Sequence, residues 1–237
     1  VSVPLIVVMP VYNEADCLRE MLAEWLAALQ AIPGALLLLV DDGSRDETPA
    51  LLAEAARRQD GIRVVRQENA GHGAAILHGY REALAAGAEW VFQADADRQI
   101  AAAPLLELWM DRAGAPFLQA ARWPREDPEV RILLSRAHRR LLAVLFGHAP
   151  RDPNVPFRLM RAEVLREMLC RLPEQPFAPN VMLSLLAQKQ GWLRDELDVP
   201  HRQRDTGTQS IHGWKTARIA WRCAGELWRF RWGGYRQ

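Results

Sequence analysis

Short aliphatic runs alternate with longer amphipathic stretches along the first 120 residues. Apolar blocks of strand length occur at 5–9, 36–40, 62–65, 90–93 and 117–121. Between them, apolar residues recur at helical spacing over 15–31, 48–59, 74–86 and 103–112, with Pro33, Gly34, Gly43, Gly61 and Gly87 punctuating the junctions. Strands apolar on both faces and separated by helices predict βαβ units: an α/β fold with a mostly parallel central sheet flanked by helices. The second half is less regular. Helices are expected over 129–146, 162–171 and 180–190, and strands over 157–160 and 193–199, with a Pro/Asp/Asn-rich loop near 150 and a polar loop at 201–210. No internal repeat or low-complexity linker interrupts the chain, so one domain over 1–211 is expected, followed by a tail over 212–237.

Composition narrows the function classes. With 237 residues, 49% of them hydrophobic and 25% charged, the chain is not disordered, and a sizeable core is available. Thirty Lys+Arg against 29 Asp+Glu give a net charge of +1, which offers no global case for nucleic acid. Cys17, Cys170 and Cys223 are odd in number and lack a C-x-x-C pair. Neither a disulfide framework nor a structural zinc site is indicated, and a reducing cytoplasm fits best. No apolar run reaches the roughly 20 residues that span a bilayer. The N-terminus enters an apolar run at once and reads as a first strand rather than a signal peptide.

Polar clusters in the first half each fall just after an expected strand. They are Pro10-Val11-Tyr12-Asn13-Glu14, Asp41-Asp42-Gly43-Ser44, Asn69-Ala70-Gly71-His72-Gly73 and Asp95-Ala96-Asp97-Arg98-Gln99. In a parallel sheet these positions line the crevice beyond the carboxyl ends of the strands, where ligands bind. Singly, each cluster would also serve as a turn and a helix cap; together they converge on one rim. The fourth is the most chemical. Two carboxylates at i and i+2 and an amide at i+4 supply hard oxygen ligands to one side of an octahedral cation, leaving the rest for water and phosphate oxygens.

In this order the clusters resemble the inverting family-two glycosyltransferases of the GT-A fold, and most closely the dolichyl- and undecaprenyl-phosphate sugar synthase branch. The similarity continues through Arg122, Arg131 and Ser135, then Asp152 to Arg161, and finally Arg204 and Gly207. The resemblance implies a GT-A catalytic domain over 1–211. It also implies a nucleotide pocket formed by Pro10, Tyr12, Glu14, Asp41, Asp42 and Gly71, with Asp95 and Ala96 reaching the donor. Asp95, Asp97 and Gln99 would hold Mg²⁺ or Mn²⁺ on the donor diphosphate, and Arg204 would close over the phosphates. Arg122, Arg131 and Ser135 would meet the phosphate of a lipid acceptor. Asp152 is the candidate general base or acceptor-orienting group, so Asp97, Asp152 and Arg204 form the expected catalytic set. His72 either contacts the donor or faces solvent, and His201 and His212 are read in the same way.

The chain departs from the pattern of that branch at two places on the acceptor side. Pro156 stands where a glycine usually precedes Phe157, and Thr-Gln-Ser follows Gly207 in place of Glu-Ser-Lys. The lack of transmembrane helices implies a soluble or peripheral protein at the inner face of the membrane. Over 129–146, Val130, Leu133, Leu134, Ala137, Leu141, Val144 and Leu145 form an apolar stripe beside Arg131, Ser135, His138 and Arg139. From His201 onward there are eight Lys/Arg against two acids, and four of the nine tryptophans. This mixture predicts an interfacial anchor at an anionic leaflet, with core packing or a homo-oligomer contact as its rivals.

The expected activity is therefore metal-dependent, inverting transfer of a sugar from a nucleotide diphosphate sugar to a polyprenyl phosphate or other membrane-associated acceptor. The nearest alternative is a saccharide or lipid hydroxyl acceptor with Asp152 as obligatory base. A catalytically silent sugar-nucleotide-binding module is the rival from another class. A dinucleotide-dependent dehydrogenase is disfavoured, because the first turn lacks G-x-G-x-x-G.

Overall fold

The computed structural model describes residues 2–125, 129–173, 176, 178–202 and 225–230. Seven strands form one sheet in the order β3-β2-β1-β4-β6-β5-β7. The strands are β1 (Val3–Val11), β2 (Leu36–Asp41), β3 (Ile62–Arg66), β4 (Ala88–Gln93), β5 (Phe117–Arg125), β6 (Arg158–Arg161) and β7 (Leu193–His201). Helices α1 (Ala15–Leu29), α2 (Thr48–Arg58), α3 (His72–Ala85), α4 (Pro104–Asp111), α5 (Glu129–Phe146), α6 (Ala162–Arg171) and α7 (Pro179–Lys189) connect or flank them.

Strand alternation sorts the apolar residues into two cores. Leu5, Val7 and Met9 of β1 join Leu37 and Leu39 of β2 and Phe92 of β4 beneath α1, α2 and α4. Ile6 and Val8, with Leu38 and Val40, face the other way, beneath α3, α6 and α7. In α1 the buried set Leu18, Met21, Leu22, Trp25 and Leu29 follows the 3.6-residue repeat and forms the stripe that packs on the sheet. The result is a three-layer sandwich in which β1, β2 and β4 are covered on both faces, as their continuous apolar sequence requires.

Strands β1 to β4 are mutually parallel, and β5 pairs with β7 in parallel. β6 inserts antiparallel between β4 and β5, so the mostly parallel expectation holds with one reversed strand. Between β1 and β4 the strand order reverses direction. The crevice at the carboxyl ends of these two strands is the topological switch point, where ligands bind in such sheets.

Candidate active site

The loops leaving β1 and β4 frame that crevice, and each turns through a residue with positive φ: Asn13 at 53° and Arg98 at 59°. Such conformations persist in non-glycine residues only when their surroundings enforce them. Asn13 is enforced by the second loop: Ser44 Oγ accepts its N–H at 3.0 Å, and its own Oδ1 accepts the Arg45 N–H at 2.8 Å. Thr48 Oγ1 accepts the Glu14 N–H at 3.0 Å. Arg98 is gripped by ion pairs to Glu20 and Glu24 of α1. The side chain of Tyr12, between these fixed points, is exposed.

The acids of the second loop do different work. Asp41 is buried; its Oδ1 accepts the Ser44 N–H at 2.8 Å, and its Oδ2 lies 3.2 Å from Arg66 Nε. Asp42 accepts hydrogen bonds from Gln67 Nε2 and from the backbone N–H groups of Ala70 and Gly71, at 2.7, 2.9 and 2.9 Å. It therefore ties the second loop to the glycine-rich turn. Gly43 permits the approach: its φ is +70°, and a Cβ there would lie 2.8 Å from the Asn69 backbone nitrogen. The turn delivers His72 to the start of α3, where its Nε2 is 3.5 Å from Asp95 Oδ1.

Beyond β4, a small pocket is lined by Asp95, Asp97, Gln99, Arg122, Phe157 and His201, with Pro156 at its wall. Asp95 Oδ1 is buried and makes no hydrogen bond. Burial, helped by the charge of Asp97 and opposed by His72, Arg122 and Arg158, pushes the Asp95 carboxyl up to about 6. Gln99 bonds reciprocally with the chain leaving β7: its Nε2 donates to the Arg202 carbonyl at 3.2 Å, and its own carbonyl accepts the Arg202 N–H at 3.0 Å. In the same pocket Arg122 forms a two-pronged ion pair with buried Asp152, Nε to Oδ2 at 2.6 Å and Nη2 to Oδ1 at 2.8 Å. Behind it lies Arg158, fully buried, its guanidinium bonded to the carbonyls of Asn180 and Val155. Burial lowers the Arg158 pKa, and the Tyr80, Asp152 and Asp95 oxygens oppose that shift.

The family model for glycosyl transferase family 2 matches residues 6–169, well over half of the chain. The chain belongs to glycosyl transferase family 2. It is 31% identical over 206 residues to the undecaprenyl-phosphate 4-deoxy-4-formamido-L-arabinose transferase of Pectobacterium carotovorum, covering 85% of this chain and 61% of that protein. The Pseudomonas fluorescens protein of the same name is 30% identical over 205 residues, covering 85% and 58%. The chain thus spans about three-fifths of the length of the curated relatives it matches. Among solved structures, it is similar to glucosyl-3-phosphoglycerate synthase of Mycobacterium tuberculosis, solved with Mn²⁺ and UDP-glucose. The TM-score is 0.67 at 19% identity, covering 97% of this chain and 79% of that one. A mannosyltransferase of Pyrobaculum calidifontis, solved with GDP-mannose and Mn²⁺, gives 0.64 at 21%, covering 96% and 62%. The fold is GT-A.

Within this family-two fold the structure brings Pro10, Tyr12, Glu14, Asp41, Asp42 and Gly71 to the rim at the carboxyl ends of β1 to β3. It brings Asp95, Asp97, Gln99 and Arg122 into the pocket, with Asp152 directly behind Arg122; Ala96 is buried between the two aspartates. The Cys17 thiol, 3.6 Å from the Ala96 carbonyl and 3.4 Å from Glu14 Oε2, links the first and fourth loops. Ser135 lies on α5, half-buried. The side chain of Arg131, and Arg204, Gly207 and His212 entirely, lie outside the described residues. Two neighbours of the site escaped the sequence reading as functional positions, Arg66 beside Asp41 and Glu196 behind Asp152, while His201, read as either a donor contact or a solvent-facing residue, is buried and lines the pocket. Neither of the two carried a signal: Arg66 sits at a strand end, where polar residues are ordinary, and Glu196 is one of four charged residues in β7, with Arg194, Asp195 and Asp198.

Proposed function

We propose that this protein transfers a sugar, with inversion, from a nucleotide diphosphate sugar to a polyprenyl phosphate. The observation that carries the proposal is a pocket that gathers the carboxyl groups of Asp95 and Asp97 with the Arg122 guanidinium, itself clasped by Asp152. The names of the relatives and the ligands of the structural neighbours support the same reading. Pro10, Tyr12, Glu14, Asp41, Asp42 and Gly71 would cradle the nucleotide, and Arg122, Arg131 and Ser135 the acceptor phosphate, with Arg204 over the donor phosphates. Residues 1–211 would form the catalytic domain and 212–237 a basic tail.

The donor set fits a divalent cation. Asp95 Oδ1 is a buried oxygen that makes no hydrogen bond, Asp97 follows at i+2, and Gln99 lines the same pocket. Among the described residues no three His, Cys, Asp or Glu side chains gather into a closed cage. The arrangement is thus a half-open oxygen site suited to Mg²⁺ or Mn²⁺ shared with phosphates. Such an ion, when bound, neutralises charge on the departing diphosphate. A phosphate acceptor is already ionised near neutral pH, so it attacks the anomeric carbon without surrendering a proton, and the nucleoside diphosphate leaves from the opposite face.

Contact with a membrane surface is supported by α5. Its residues Leu141 and Val144 are exposed beside the exposed Arg136, Arg139 and Arg140. No described helix is long and apolar enough to cross a membrane.

The test is thermal stabilisation by a panel of uridine, guanosine, cytidine and thymidine diphosphate sugars, with and without Mn²⁺ or Mg²⁺. A donor at about 100 times its Kd should add roughly 2.7 kcal/mol, and the effect should require metal and disappear in Asp97→Ala. No shift with any nucleotide under any metal condition would overturn the donor assignment.

A further inference from the structure

We infer that Glu196 and Asp152 are positioning residues that aim the Arg122 guanidinium into the pocket as an oxyanion clamp. Asp152 then acts through Arg122 and not as a base. The inference rests on reading this wall of the pocket as the acceptor-phosphate site, and it assigns a role to Glu196, which no motif singles out.

The geometry forms a chain running from the pocket back to β7. The Arg122 side chain is 14% accessible, and both Asp152 oxygens face it; Asp152 Oδ2 also accepts the Arg122 backbone N–H at 3.3 Å. A planar guanidinium met by both oxygens of a carboxylate is fixed in direction as well as in place. Asp152 is fixed in turn by Glu196, whose Oε2 accepts the Arg151 N–H at 2.7 Å and whose Oε1 lies 3.2 Å from the Asp152 nitrogen. Glu196 Oε1 also accepts from Gln119 Nε2 at 2.7 Å. The same loop is pinned further along. Ser184 Oγ lies 3.0 Å from the Pro153 carbonyl, and Arg158 donates to the Val155 carbonyl. Residues 151–155 are therefore held from β6, β7 and α7, although the loop has no regular structure of its own.

The electrostatics separate two roles. Two carboxylates behind one guanidinium lower the positive potential that an incoming anion meets, so as mere charges they oppose anion binding. What they contribute is orientation, which strengthens a charge-assisted hydrogen bond only while its direction is maintained. The two roles predict opposite signs for a neutralising substitution.

The experiment titrates inorganic phosphate and a short-chain isoprenyl phosphate into the wild-type protein and into Arg122→Gln, Asp152→Asn and Glu196→Gln, with the thermal midpoint of each recorded. Arg122→Gln should abolish binding, while Asp152→Asn and Glu196→Gln should each weaken it about tenfold, as is usual for groups that orient a ligand-binding side chain. In transfer assays the acceptor KM should rise by a similar factor. The kcat at saturating acceptor and the acid limb of the pH profile should stay in place. Tighter or unchanged phosphate binding in the neutralised variants overturns the clamp. Loss of kcat at saturating acceptor together with the acid limb in Asp152→Asn overturns it too, and makes Asp152 a base. Should Glu196→Gln fail to fold, Asp152→Asn carries the same sign test. Failure of phosphate to bind the wild type sinks the clamp alone, because metal-dependent binding of nucleotide sugars, which does not need Arg122, tests the donor reading separately.

Discussion

Asp95 is a carboxyl held near that of Asp97, with one oxygen buried and making no hydrogen bond, His72 Nε2 standing 3.5 Å from it. Its pKa of about 6, against 3.8 for the ordinary group, means that the folded protein binds a proton there more tightly than the unfolded chain does. Without metal, stability should therefore fall as pH rises from about 4 to about 6 and remain lower above that. The loss is on the order of 1–3 kcal/mol. Asp95→Asn removes the buried charge, so at pH 8 the metal-free variant should melt higher than the wild type, yet gain nothing from Mn²⁺. A variant that melts lower at pH 8, or still responds to Mn²⁺, would contradict the account of this site. The acids of the second loop show how far residue types can be read. Their chemistry and position after β2 were legible in the sequence, but the division of labour was not. Asp42 is committed to the glycine-rich turn, about 28 residues ahead in the chain, and Asp41 to Ser44 and Arg66. That division depends on the sheet placing the two loops side by side.

At the scale of elements, α3 lies unusually close to the sheet. A Cβ at Gly79 would sit 2.3 Å from Val8 Cγ1 and 2.9 Å from Val40 Cγ2, so the helix rests directly on β1 and β2. This seating also sets where His72, at the start of α3, meets Asp95. Gly79→Ala should destabilise the protein by about 1–3 kcal/mol in denaturant unfolding, because overpacking outweighs the better helix propensity of alanine. Combining it with Val8→Ala should recover less than the full loss, since the Val40 contact remains; a neutral Gly79→Ala would show that the helix can shift freely. The elements themselves were readable, since period-two and 3.6-residue patterns reflect burial on one face or both. Helix bounds at α5 and α6 agree with those expected, and the strands mostly extend by one to four residues. The reversal of β6 was not readable. Four residues, Arg158–Arg161, carry no signal of direction, and the fully buried Gln119 and Arg158 are paired across β5 and β6 in a way that only the sheet reveals.

Across the described residues, two cores hold one crevice, and both halves of the chain contribute to it. In the described part of the tail, Leu227 is buried in the second core and the ring of Phe230 lies 6.4 Å from that of Phe146 on α5, while Trp228 remains exposed. Part of the tail thus packs on the body and part faces outward. Sedimentation with vesicles of anionic lipid should capture the protein more strongly than vesicles of neutral lipid, and added salt should reduce the difference. Replacing Arg136, Arg139 and Arg140 together by Glu should abolish the preference; equal sedimentation with both lipids would remove the case for an interfacial surface.

The class of fold and the four polar loops at the strand ends were determined by the sequence alone. Periodicity and loop chemistry are local, and each hydrophobic strand announces its own polar end. Which of the loop acids are tied up in hydrogen bonds, and what holds Arg122 in the pocket with Asp95 and Asp97, only the tertiary structure decided. Glu196 reaches Asp152 across 44 positions and Arg122 meets Asp152 across 30. Both contacts depend on β5, β6 and β7 lying side by side in an order that no local pattern encodes, because strand order is set by the packing of the whole sheet beneath its helices.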